Sequence, residues 1–161
     1  MATRSGDLAP GVVLALVRQV GLEAAEQILY QASGLLAWSD GESGDMAELL
    51  VSPTAAARFA VDAYVRAVRA GIGAMAAKAG GLDALVFTGG ICKHSERVRA
   101  AVCANLDILG FVIDTDANNA GRTLLNTMDD KPIVCLGSDE ELMIRDYIEA
   151  AMLANLDKAV R

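Results

Sequence analysis

The chain has 161 residues, 53% of them apolar and 22% charged, enough for one domain with a real core and too apolar for a disordered segment. Its net charge of −7 argues against a nucleic-acid partner, because phosphate contacts need clustered Lys and Arg. No apolar run approaches the roughly 20 residues that cross a bilayer, and the stretch Met1–Asp7 has no apolar signal-peptide core. Three cysteines (Cys92, Cys103, Cys135), without metal-like spacing, point to free thiols in a reducing cytoplasm.

Asp7 is placed to cap a helix running to about Val20, with Pro10 in its first turn. Gly21 breaks it, and a second helix is expected over Glu23 to Gln31. From Ser33 to Ser52 the pattern is irregular and polar, a loop carrying one short helix at Met46 to Leu50. Ser52-Pro53 opens the longest helix, with Val61, Val65, Val68, Ile72 and Met75 as its apolar stripe and Gly80-Gly81 as its stop.

A short strand at 84–88 runs into Thr88-Gly89-Gly90, and a helical pattern begins straight after. A strand, a glycine turn and a helix start bring backbone N–H groups close to a phosphate or nucleoside. The next helix spans about Ser95 to Leu109 and closes at Gly110. Strands are expected at Phe111 to Asp114 and Ile133 to Leu136, with a turn-rich segment between them that holds a short helix or a surface loop. Ser138-Asp139-Glu140-Glu141 has a capping-box pattern and starts the last helix, whose apolar side is Ile144, Tyr147, Ile148, Ala151 and Met152. Helices first, then βαβ and a further βα, favour an α/β fold, although three short strands make a thin sheet for so many helices.

Four ordered segments carry a family resemblance: Met1-Ala-Thr-Arg-Ser-Gly-Asp-Leu-Ala-Pro10, Ser43-Gly-Asp-Met-Ala-Glu-Leu-Leu50, Leu85-Val-Phe-Thr-Gly-Gly-Ile-Cys-Lys-His-Ser95 and Ser138-Asp-Glu-Glu-Leu-Met-Ile144. Together they resemble the C-terminal part of acetate kinase, the ATP-dependent acetate and propionate kinase family. The resemblance runs through nearly all of the chain but covers only about the last two-fifths of the family's length. It implies a partial actin-like, sugar-kinase-like domain of ribonuclease-H-like type, with helices packed on a short mixed sheet. Residues 1–161 would then be a single, incomplete C-terminal domain that forms a homodimer in the family and lacks an N-terminal half.

The resemblance also implies roles. Arg4 falls at the family's active-site arginine, which contacts acetate and the phosphoryl group in flight; a planar guanidinium suits charge spread over equatorial oxygens. Taken alone, Arg4 reads as a solvated charge near a terminus. Glu140 matches the glutamate that helps place Mg²⁺, a cation that favours carboxylate oxygen; an acid in a helix's first turn is equally explained by the macrodipole. Asp45, Met46 and Ala47 match a segment that touches the adenosine of ATP or ADP, and Gly90, Ile91, Cys92, Lys93 and His94 match the loop beside it. Asp45 could accept from ribose hydroxyls or simply cap the short helix. The chain departs from the family at three of these places: arginine is usual where Ala47 stands, glycine where Cys92 stands, and glutamate where Lys93 stands.

Other candidates reduce to simpler roles. His94 and Cys92 lack further ligands at metal spacing. Cys103 and Cys135 read as core fillers, while a helix N-terminus and Lys93 would lower the pKa of Cys92 and make it a candidate reactive thiol. Ser43 and Ser95 have no visible base, Gly89-Gly90 lacks the dinucleotide-binding spacing, and Asn118-Asn119 reads as turn chemistry. The expected activity is reversible transfer of the ATP γ-phosphoryl to acetate or propionate, with negligible turnover from these 161 residues alone. The alternative is a non-catalytic module that dimerises or binds nucleotide weakly.

Overall fold

The computed structural model describes residues 2–137, 143–145 and 147–149. It begins with two helices in contact, α1 (Pro10–Val20) and α2 (Leu22–Gln31), joined by Gly21 alone. Asp7 does not cap α1: the residue ahead of the helix is Ala9, and no side chain accepts there. Pro10 is the first helical residue, so one of the N–H groups that a cap would satisfy is missing from the start. None of α1 is buried, and Leu14 and Val12 are more than half exposed.

The segment 33–52 is more ordered than its polarity suggests. It contains α3 (Gly34–Trp38) ahead of α4 (Met46–Val51), and Leu35 of α3 is wholly buried. A five-residue helix is too short to show a 3.6-residue period, which hides it in the sequence. It is held instead by backbone bonds from Ser33 N–H to Thr3 O (2.8 Å) and Leu36 N–H to Ala2 O (3.1 Å).

α5 (Ala55–Ala79) is the spine of the domain. Thr54, rather than Pro53, sets its start, its Oγ1 accepting the Ala57 N–H at 3.1 Å. The buried side consists of Ala57, Ala60, Tyr64, Val65 and Ala76; of the expected stripe only Val65 is fully buried, and Met75 is half exposed. Small alanines let α3, α4 and α7 (Glu96–Cys103) approach α5 closely, and the valines on the neighbouring row pack against the margin of the core. Gly80 ends α5 in the left-handed region.

β1 (Leu85–Phe87) pairs in parallel with β2 (Ile133–Cys135), with Leu85 opposite Ile133 and Phe87 opposite Cys135. The strand expected at 111–114 contributes only one antiparallel bridge, Ile113 to Asn126, and a second bridge joins Leu124 to Val134. Leu85 and Phe87 bond to the β2 side, so in a parallel ladder the N–H and C=O of Val86 face the opposite edge, where no strand pairs among the described residues. Between the strands come α6 (Gly90–His94), α7 and α8 (Thr115–Asn119). α7 ends at Cys103, earlier than Leu109, and a separate 3-10 turn covers Asp107–Leu109. Arg69 of α5 takes the freed carbonyls of Ala101 (2.6 Å) and Val102 (3.3 Å), so a cation sits where a helix C-terminus favours one.

The core lies between α5, α7 and the sheet, and its fully buried members include Leu35, Leu49, Val98, Val102, Phe111, Leu125 and Ile133. The expected capping box at Ser138–Glu141, with Glu140, lies outside the described residues; 143–145 and 147–149 are helical. Among the described residues no helix is long and apolar enough to cross a membrane.

Candidate functional site

The loop 39–45 is built around Ser39, a polar residue only 1% exposed. Its Oγ lies between the carbonyls of Leu36 (3.1 Å) and Ser43 (3.0 Å) and accepts the Ser43 N–H at 3.2 Å. Ser43 Oγ in turn accepts the Asp45 N–H at 2.9 Å and donates to Glu48 at 2.5 Å. The chain of bonds fixes Asp45 as the cap of α4, where its Oδ1 accepts the Ala47 N–H at 2.7 Å. Both readings of Asp45 remain compatible: one carboxylate oxygen caps, and the carboxylate still borders open space.

That space is a cavity of about 450 Å³. From α4 it is lined by Asp45, Met46, Ala47, Leu50 and Val51, and from the other side by Gly90, Ile91 and His94 with Ser95, Glu96 and Arg97. The size falls within the range of small-molecule sites, which are characteristically apolar with a few polar groups. A larger cleft of about 770 Å³ lies among residues 5–8, α1, α2, α3 and α5, but Asp7 is the one titratable residue lining it.

The glycine turn forms one wall. Gly89 has φ 77° and ψ 164°, a conformation essentially restricted to glycine, and it places Gly90 at the start of α6. Cys92 and Lys93 do not line the cavity. Cys92 is half-buried and packs against the core. Burial pushes the Cys92 thiol pKa up; the Arg99 charge and the Tyr64 hydroxyl oppose this without reversing it. The expected reactive thiol is therefore corrected to an inward-facing one, because desolvation disfavours the thiolate more than nearby charge favours it. Lys93 extends toward Gly137, its Nζ 2.9 Å from where a Cβ on that glycine would stand.

Sequence reasoning missed the group that holds this wall in place. Arg99, 3% exposed, donates from Nε to Asn118 Oδ1 (2.7 Å), from Nη1 to the carbonyls of Cys92 (2.7 Å) and Lys93 (3.0 Å), and from Nη2 to Asn118 O (3.1 Å). Asn118 Nδ2 completes the node by donating to Glu96 O at 2.9 Å. Asn118, which reads as turn chemistry in the sequence, is thus a buried partner joining α8 to the α6–α7 junction. The one available signal was the position of Arg99 between Val98 and Val102, on the apolar side of α7.

Arg4 is exposed and does not line the cavity. Its segment runs beside the site loop: Ser5 N–H bonds Leu29 O at 2.8 Å, and a Cβ on Gly44 would meet the Thr3 methyl at 3.4 Å. Asp45 follows Gly44 directly. Among the described residues no cluster of three His, Cys, Asp or Glu side chains could hold a metal ion. Glu140, the carboxylate implied for Mg²⁺, lies outside those residues.

Residues 1–146 match the acetokinase family model. An acetate kinase from Nitrobacter hamburgensis is 39% identical over the whole chain, which covers 40% of that protein. One from Rhodopseudomonas palustris is 41% identical over 92% of the chain and 38% of its own length. Among solved structures, acetate kinase from Entamoeba histolytica superposes with a TM-score of 0.84 at 32% identity, over 91% of this chain and 40% of that one. A propionate kinase from Francisella tularensis gives 0.80 at 30% identity, over 89% and 38%. The chain therefore spans about two-fifths of the length of these relatives, and its architecture is that of a partial actin-like α/β domain. It belongs to the acetokinase family.

Proposed function

We propose that this chain carries the nucleotide-binding part of an acetate-kinase-type phosphotransferase, one that moves the γ-phosphoryl of ATP reversibly to acetate or propionate. The observation that carries the reading is convergence. Asp45-Met46-Ala47 and Gly90-Ile91, with His94, lie more than forty residues apart, yet line one cavity. Ile91, Met46 and Leu50 offer the apolar surface a purine needs, and the Asp45 carboxylate suits ribose hydroxyls. Gly90 adds no side chain to the cavity wall, and a Cβ there would meet nothing within 4 Å, leaving room for a ligand to approach the backbone.

Arg4 is the proposed phosphoryl and carboxylate contact. Its guanidinium could meet two oxygens of a transferring group at once, and it is attached to a segment braced against the Asp45 loop. Glu140 is the proposed Mg²⁺-placing carboxylate, and Mg²⁺ when bound would neutralise charge on the phosphates. One arginine and one carboxylate do not position both substrates for in-line transfer. These 161 residues alone should therefore show negligible turnover, with the rest of the machinery supplied by the portion that the relatives have in addition. Homodimerisation and a reducing cytoplasmic setting, where all three cysteines stay free, belong to the same reading.

Calorimetry with Mg-ADP and Mg-ATP tests the binding half of the proposal: saturable binding lost in an Asp45→Ala, Ile91→Glu double variant supports it. A heat of mixing that never saturates at millimolar ligand refutes it. A coupled assay for acetyl phosphate tests the second half, and ordinary kinase rates from the isolated chain would overturn it.

A further inference from the structure

We propose that Arg97 reads the edge of the base in this cavity and tilts it toward 6-oxopurines, guanine or hypoxanthine, over adenine. The inference deepens the nucleotide reading above and rests on it.

Arg97 is the second residue of α7, and it lines the cavity. Its Nη1 donates to the carbonyl of Leu50 at 2.6 Å, which ties α7 to the C-terminal end of α4. That bond leaves the other edge of the guanidinium whole. Nε–H and Nη2–H have no hydrogen-bond or ion-pair partner among the described residues, although the acids Glu96 and Asp45 line the same cavity. A rigid plane anchored at one nitrogen thus keeps two parallel donors available.

A donor pair of this kind matches an acceptor pair. Guanine and hypoxanthine present O6 and N7 side by side, whereas adenine presents N7 beside an amino donor that would face an N–H head-on. Most of the neighbouring lining carries no base preference of its own: Met46, Ala47, Leu50, Val51 and Ile91 have apolar side chains, Ser95 Oγ accepts the Val98 N–H as the cap of α7, and Asp45 is assigned to the ribose, which leaves Glu96 as the carboxylate that would favour an amino group. A guanidinium lying flat on the purine face would attract every purine similarly, so base selectivity separates edge reading from stacking.

The test titrates the full 161-residue chain with GDP, IDP and ADP by calorimetry. A good bidentate pair discriminates roughly 5- to 150-fold, and at an exposed guanidinium about tenfold tighter binding of GDP and IDP than ADP is expected. IDP lacks the 2-amino group, so parity of GDP and IDP assigns the effect to O6 and N7. In Arg97→Met the ratio should fall to about one, with GDP and IDP losing more affinity than ADP. Arg97→Lys, which keeps charge without the fork, should also lose selectivity. Equal affinities for the three nucleotides, or a ratio unchanged in both variants, overturn this inference alone. Failure of all three to saturate overturns the nucleotide reading and this inference with it.

Discussion

The node at Arg99 makes the sharpest prediction. Its four hydrogen bonds run to one side-chain oxygen and three backbone carbonyls, so this buried cation is held without a carboxylate among the described residues. Arg99→Met keeps the aliphatic stem but removes every donor. The carbonyls of Cys92, Lys93 and Asn118 would then be left without these donors in a region that water reaches poorly, and each buried orphan costs about 1–3 kcal/mol. The favourable offset is that a buried charge no longer has to be desolvated, a cost of several kcal/mol in real proteins. The net loss should be about 3 kcal/mol, read as a lower urea midpoint with unchanged m-value. Asn118→Ala should lose about 2 kcal/mol, and the double variant less than the sum, because both changes break the Arg99 Nε–Asn118 Oδ1 bond. A single Arg99→Met loss below about 0.5 kcal/mol, or strict additivity, would refute the idea that the node is a unit. Since two of the bonds hold the end of α6, the variant should also weaken nucleotide binding well below its own unfolding midpoint.

Burial pushes the Cys103 thiol pKa up to about 11 from an unfolded 9.0, so the native state retains a proton that the unfolded state releases. The stability from this group is complete below pH 9 and lost as pH rises through 11; Cys103→Val should flatten part of the alkaline decline in urea midpoints. Tyr64 and Cys92, also raised by burial, would keep the remainder. Gly89→Ala should cost about 1–3 kcal/mol through backbone conformation alone, since a Cβ there meets nothing within 4 Å. Gly90→Ala, with no positive φ, should leave thermal stability nearly unchanged while weakening nucleotide binding. The open edge at Val86, 51% exposed, should promote concentration-dependent association in light scattering, and Val86→Lys should reduce it.

What could be read in advance divides by the range of the interaction. Asp45 and Ser95 sit just ahead of short helices and cap them, a relation contained within two or three residues. The strands at β1 and β2 were visible because short apolar runs between turn signals need only local reading. α3 was invisible because it is held by residues 2 and 3 and by burial of Leu35, neither of which leaves a periodic trace. The expected strand at 111–114 has suitable residues, but Phe111 is wholly buried and the pairing stops at one bridge, Ile113 to Asn126, flanked by the Asp114 N–H to Leu125 O and Thr127 N–H to Val112 O bonds, so composition did not become a longer ladder.

The site shows the same division more strongly. Six of the eight residues implied for nucleotide line the cavity, while Cys92 and Lys93, consecutive in the same loop, point elsewhere. A motif gives the position of a residue along the chain; the direction of its side chain depends on what packs beneath it. At Cys92 that is Tyr64 on α5, 28 positions earlier, and at the following carbonyl it is Arg99. The departure at Cys92 therefore falls on the core side of the wall, and its consequence for a ligand passes through the packing of α6. Ala47 is different, because it lines the cavity directly, across from Arg97 of α7, at the position where the resemblance implies a long arginine side chain. Of the three departures from the family pattern, Ala47 is thus the one that changes the cavity surface itself, and restoring arginine there should compete with Arg97 for the same ligand edge.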